Sequence, residues 1–282
     1  MNILSHLSSG ASKSFRSWKW ILVIWFAVLV LVSILGLTLR GELNAIFGKS
    51  MITEKLADGT IVDVIANAGT GMRILISSFT TGFFLITFLG ILVIVFFNGG
   101  LFTVLRTSEA KTGSTEFFGG AASNFWPFLV IWLLIALMIA FAAFLLVGLP
   151  VVIRAGSNSA GSPVILKLTS LVLLLIMPVF LLVADYARAW QVSNERKNAF
   201  KAIGKGFATT FRHFFLSWSA MFLMIVIQVI YLFLVFRFTG SLKPVSAGGI
   251  FLLFILIQVL FIIKLFLRTW RYGIVTSLYE KP

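Results

Sequence analysis

Few residues in this chain are equipped for chemistry. Asp185 and Arg188 stand three apart, which puts them on one face of a helix. A basic series follows: Arg196, Lys197, Lys201, Lys205 and Arg212. Gln228, Gln258 and Lys264 interrupt long apolar runs, and Pro178 interrupts another. A carboxylate among apolar residues can take up a proton or a cation, or it can tie its helix to a neighbour through a basic side chain. The tie is favoured, with Lys264, Arg268 or Arg271 as partner, because a proton relay needs a second, deeper carboxylate and the sequence offers none. The two glutamine amides need partners at their depth, and a hydrogen bond between their helices is favoured over a polar substrate site. Lys264 can extend its stem and bring its ammonium to the membrane surface.

Other reaction chemistry finds little support. There is no cysteine, so disulfides, thiolate metal sites and thiol nucleophiles are excluded. His6 and His213 have no carboxylate near them in sequence, so no metal site is expected. The run Gly48-Lys49-Ser50 ends like a phosphate-binding loop, but Leu43 stands where that loop requires glycine. Paired-histidine zinc helices, nucleophile elbows and a second intramembrane aspartate are all missing. An enzyme is not expected, nor is a cofactor.

These residues sit in a chain whose composition defines their surroundings. Of 282 residues, 60% are hydrophobic and 11% charged, against about 45–50% and about 25% in a soluble domain. Mean hydropathy is +1.06. A soluble enzyme, a nucleic-acid-binding domain and a disordered chain are thereby excluded. Crossing a bilayer takes about 20 helical residues, and six apolar runs of that length are predicted: 18–39, 74–97, 125–149, 164–187, 214–236 and 250–270. None alternates with a period of two, so a β-barrel is out. The expected class is all-α, a single polytopic bundle of six membrane helices. The first run is too long for a signal-peptide core and reads as a retained helix.

Charge orients the bundle. Lys+Arg number 23 against 9 Asp+Glu, a net +14. Lys13, Arg16 and Lys19, then Arg106 and Lys111, then Arg188 through Arg212, then Lys264, Arg268, Arg271 and Lys281 all fall on one side of the predicted spans, 15 of the 23. The positive-inside rule makes that side cytoplasmic, with both termini there. Four acids (Glu42, Glu54, Asp58 and Asp63) fall in the predicted outer loop, 40–73, where Thr60 and Asp63 suggest the start of a short amphipathic helix. The basic excess records topology and gives no reason to invoke nucleic acid.

A threefold recurrence runs through the chain. Trp25, Trp132 and Trp218 each follow an aromatic seven residues earlier (Trp18, Phe125, Phe211) and a large apolar residue four earlier (Ile21, Phe128, Phe214). A stretch of small residues precedes each, at Gly10, Gly120 and Gly206, and the even-numbered spans end on Gly100, Ala187 and Gly273. Three related hairpins, each entered through an interfacial amphipathic stretch, are therefore expected. The clearest such stretch is 195–212. Phe200, Ile203, Phe207 and Phe211 form one stripe, leading to Phe214, and Lys197, Lys201 and Lys205 form another. A helix of this kind lies at the membrane surface with lysines at anionic head groups. It can equally serve as a plain topological anchor.

The stretches Ala184-Asp185-Tyr186-Ala187-Arg188, Asn194-Glu195-Arg196, Ala199-Phe200-Lys201-Ala202-Ile203-Gly204-Lys205-Gly206-Phe207 and Phe211-Arg212-His213 resemble a pattern in bacterial six-helix membrane proteins. These are similar to the membrane domain attached to some glycerophosphoryl diester phosphodiesterases, whose catalytic domain has no counterpart here. The resemblance implies an architecture and a bacterial inner membrane, and no reaction. Two functions are then expected to compete. One is a non-enzymatic scaffold or accessory subunit that docks anionic lipids or a protein partner. The other is a permease for a lipid-like or hydrophobic substrate, suggested by Pro178 and the polar faces of spans two, five and six.

Overall fold

The computed structural model describes residues 3–47, 61–106, 113–156, 163–194, 198–242, 244 and 246–280. Those residues are helical almost throughout, with no strand among them. In chain order the helices are α1 (Ile3–Arg16), α2 (Trp18–Phe47), α3 (Ile61–Arg106), α4 (Ser114–Ala143), α5 (Leu149–Gly156), α6 (Pro163–Ser193), α7 (Ala199–Arg212), α8 (Phe214–Ser241) and α9 (Ala247–Glu280). A π-helical turn, Phe144–Gly148, joins α4 to α5. Pro150 accounts for that wider turn, because it has no N–H to donate and its ring crowds the carbonyl four residues back. Among the described residues, six helices are long and apolar enough to cross a membrane. They leave residues such as Phe84, Phe141, Leu174, Phe236 and Leu252 well exposed, as expected of a surface facing acyl chains. The protein is thus an all-α, multi-pass membrane protein.

Two expected boundaries are corrected. The loop predicted over 40–73 is largely helix, because α2 runs on to Phe47 and α3 begins at Ile61 and is unbroken for 46 residues. Hydropathy falls off across this stretch, but no proline lies between Ile61 and Arg106, and backbone hydrogen bonding continues past the apolar residues. Thr60 lies outside the described residues. Likewise Asn98-Gly99-Gly100 does not end a helix: α3 passes through it to Arg106.

The chain divides into two units. The first comprises residues 1–21, 95–237 and 263–282. Its core gathers Leu182, Tyr186, Met221, Met224, Ile274 and Leu278 from α6, α8 and α9. The second comprises residues 22–94 and 238–262. Within it Gly82 of α3 accommodates the Leu35 side chain of α2, and Trp25 Nε1 donates to Gln258 Oε1 at 3.0 Å. The polar face expected of span two makes fewer helix contacts than its composition suggests. Ser77, Thr80 and Thr81 are exposed, and Thr80 satisfies its hydroxyl on the Ile76 carbonyl of its own helix, at 2.7 Å.

The first unit makes one contact three times. Gly10 of α1 lies on Gly273 and Ile274 of α9, with only 2.7 Å from the position of a Cβ on Gly10 to the Ile274 nitrogen. Gly120 of α4 lies on Gly99 and Thr103 of α3. Gly206 of α7 lies on Val183 and Ala187 of α6, 2.5 Å from its Cβ position to the Val183 carbonyl oxygen. In all three, a buried polar side chain four residues on donates to the glycine carbonyl: Ser14 Oγ at 2.9 Å, Asn124 Nδ2 at 2.8 Å and Thr210 Oγ1 at 2.8 Å. The small residues flagged at the entries of odd spans and the ends of even ones are therefore partners of one another. Each interfacial segment packs on the end of the preceding hairpin, and α1 takes the last.

These contacts also re-register the repeat. Seven residues after each glycine come Ser17, Pro127 and His213, and Ser17 and His213 are where α1 gives way to α2 and α7 to α8. Eight after come Trp18, Phe128 and Phe214. On this alignment Trp132 and Trp218 match Leu22 and not Trp25, so the tryptophan alignment is three residues out in the first hairpin. Backbone approach tolerates no such shift, whereas an aromatic belt does.

Candidate functional site

Asp185 is completely buried on α6. Arg188 Nη1 donates to its Oδ1 at 2.8 Å, and Arg271 Nε of α9 lies 3.0 Å from its Oδ2. Of the partners expected for Asp185 the structure selects Arg271; Lys264 is exposed on α9. Arg268 instead donates from Nε to Tyr272 Oη at 2.6 Å. The guanidinium carbons of Arg268 and Arg271 stand 5.5 and 5.2 Å from the centroid of the Tyr272 ring, within cation–π range. Tyr272 is itself buried, with Phe102 of α3 stacked at 4.8 Å on a tilt of 37°. Three arginines thus meet one carboxylate and one aromatic ring where α6 and α9 run past their apolar stretches. The sequence flagged Asp185 and Arg188; Arg271 was only one of three possible partners, and Tyr272 carried no signal because tyrosine near a helix end ordinarily reads as interfacial belt.

Beside this cluster the wall is apolar. Leu182, Met221, Met224, Ile274 and Val275 line a crevice too narrow to admit a water molecule, which reaches Arg271 and Ser217. Ser217 Oγ is hydrogen-bonded to Tyr186 Oη at 2.6 Å, which joins α6 to α8. Pro178 is buried within α6, and the helix is continuous around it.

The expected hydrogen bond between the two glutamine-bearing helices is present, but it runs from one amide to backbone, and the second amide turns to α2. Gln228 Nε2 reaches the Leu267 carbonyl of α9 at 3.4 Å, a long bond, and Gln258 accepts from Trp25. An indole N–H and a backbone oxygen are invisible to a search confined to polar side chains.

The basic helix α7 begins at Asn198, whose side chain accepts from the Lys201 backbone N–H at 3.0 Å and caps it. Its buried residues are Ala199, Ala202, Gly206 and Thr210, spaced by three and four. This small-residue face lies on α6, leaving the phenylalanines outward, with Phe200 at 72% and Phe211 at 60% exposure. Lys201, Lys205 and Arg212 are exposed too. Arg196 and Lys197, which the sequence placed with them, lie outside the described residues. Sequence reasoning saw the aromatic and basic stripes but missed the small one, which is what attaches the helix to the protein.

No protein-family model, curated protein or solved structure matches the chain. Among the described residues, no group of three or more His, Cys, Asp or Glu is placed to hold a metal ion.

On α1, His6 Nδ1 and Ser277 Oγ of α9 lie 3.0 Å apart, and Trp270 Nε1 donates to the Leu7 carbonyl at 2.9 Å. Lys13 closes the same contact with a 2.8 Å ion pair to Glu280. Burial holds the His6 imidazole below its usual pKa, since the charged form would lose its hydration.

Proposed function

We propose that the protein is a non-enzymatic scaffold or accessory subunit of a bacterial inner membrane, with both termini cytoplasmic, that docks anionic lipids or a partner through α7. One observation carries the reading. The helix is fixed to α6 by its small-residue face, so Phe200 and Phe211 are free to enter acyl chains while Lys201, Lys205 and Arg212 remain available to phosphates. Kinship with the membrane domain of glycerophosphoryl diester phosphodiesterases belongs to the same proposal, resting on the pattern from Ala184 to His213.

Each basic side chain near an anionic surface contributes about 1 kcal/mol. Reversing three of them in Lys201→Glu/Lys205→Glu/Arg212→Glu removes about 3 kcal/mol of attraction and adds repulsion. The full chain, extracted in mild detergent, should carry anionic lipid in excess of its share of the membrane, and the triple variant should carry it only in proportion. Equal lipid profiles for the two proteins would sink the lipid-docking reading.

A further inference from the structure

We infer that Arg188, Arg268 and Arg271 form a binding site for a phosphate-bearing anion at the ends of α6 and α9. The starting point is a charge count. Asp185 neutralises one guanidinium, yet two lie on it, Arg188 and Arg271, with side chains only 9% and 12% exposed. Arginine cannot shed its proton in a protein, so the surplus charge is permanent. Arg268 adds to it from its bond to the Tyr272 hydroxyl, with Arg271 against the same ring. Of the other acids described in this unit, Glu280 is held by Lys13 and Glu116 is exposed in the first turn of α4.

Hydrogen bonding gives a second and independent indication. Arg188 Nε is buried with no partner among the described groups. Arg271 Nε directs its one proton toward Asp185 Oδ2, at 3.0 Å. The protein thus assembles planar donors, holds them with a carboxylate and an aromatic ring, and leaves part of their capacity unused. Planar guanidinium forks suit phosphate oxygens, which accept in pairs. The depth fits as well. The apolar run of α6 ends at Ala184 and that of α9 gives way at Arg268, and head-group phosphates begin where the hydrocarbon ends. The same chemistry is offered by the phosphate of an anionic lipid and by free inorganic phosphate.

This site is separate from the outward stripe of α7 and does not rest on it. The full chain in mild detergent, stripped of lipid, is heated in the presence of dioleoylphosphatidic acid, dioleoylphosphatidylcholine or sodium phosphate. The wild type should gain a saturable rise in Tm with phosphatidic acid and little with the zwitterionic lipid. An equal rise with sodium phosphate identifies the free anion as the ligand, and a rise with phosphatidic acid alone identifies the head group; either supports the site. Arg188→Gln and Arg271→Gln each leave Asp185 paired with the other arginine, so both should fold and bind about tenfold or more weakly. Should either fail to fold, the corresponding lysine variant, which keeps the charge but not the fork, is expected to bind more weakly. A wild type that responds to no probe, or arginine variants that respond as the wild type does, would overturn the inference. Lys201→Glu/Lys205→Glu/Arg212→Glu should retain the saturable shift. Its loss there would move the binding to α7, leaving the docking proposal standing and this one refuted.

Discussion

Asp185 carries its charge with none of its side chain open to solvent, and two arginines share it. The unequal ratio makes the mutational effects unequal. Asp185→Asn strands two guanidiniums at once and is expected to cost about 3–5 kcal/mol, the range for breaking a buried ion pair. Arg188→Gln leaves the carboxylate paired with Arg271 and should stay within about 1 kcal/mol of the wild type. Thermal unfolding in detergent without added anion measures both, and equal losses would refute the shared-carboxylate account. His6 adds a pH dependence of definite sign. Its imidazole pKa is lowered on folding, so below about 6.5 the unfolded chain holds more protons than the folded one. Stability should therefore be full above that pH and decline as pH falls through it. His6→Gln, which cannot titrate, should flatten the decline in Tm between roughly pH 7.5 and 5. The acidic half of the cluster could be read from the sequence because an aspartate in an apolar run is rare. Its partner was one of three basic residues on the last helix, and only the packing of α9 on α6 separates Arg271 from Lys264.

At the scale of the helices, glycine reverses its usual sign. In an exposed helix interior, replacing glycine by alanine gains up to about 1 kcal/mol. Gly204 of α7 has nothing within 4 Å of its Cβ position, so Gly204→Ala should stabilise. Two residues on, Gly206→Ala drives a methyl into the Val183 carbonyl and the Ala187 backbone, which cannot step aside. It should destabilise by about 1–3 kcal/mol, the cost of overpacking, and Gly10→Ala should do likewise against Ile274 and Gly273. Melting the three variants side by side checks the register of the threefold contact, and an unharmed Gly206→Ala would refute it. Helix existence was legible here, because uninterrupted apolar runs leave a membrane segment no other way to satisfy its backbone. Helix ends were not: α3 extends at both ends beyond its apolar run, since polar residues and paired glycines do not halt a helix that lacks a proline.

For the whole molecule, the absence of cysteine makes topology directly measurable. Single cysteines placed at Ser9 and at Ser241 should react with a membrane-impermeant maleimide from opposite faces of the membrane, the first from the cytoplasm. Labelling of both from one face would contradict the orientation drawn from the charge distribution. That distribution assigns a side to each loop only on the premise that every span crosses, which is why a labelling experiment, and not further inspection of the helices, tests it.

The sequence by itself determined the all-α class, the six spans and the outward character of α7's aromatic and basic stripes. Hydropathy and helical period are local properties, and a bilayer leaves few alternatives to them. It also held the glycines, alanines and serines of the threefold contact in plain view, but as isolated small residues. Which small residue meets which, and that Arg271 joins Arg188 on one buried aspartate while each glutamine turns to a different helix, was decided by tertiary packing. Those pairings join positions as far apart as Gly10 and Gly273, set by backbones approaching until no side chain fits between them, and no local pattern records the partner across that distance.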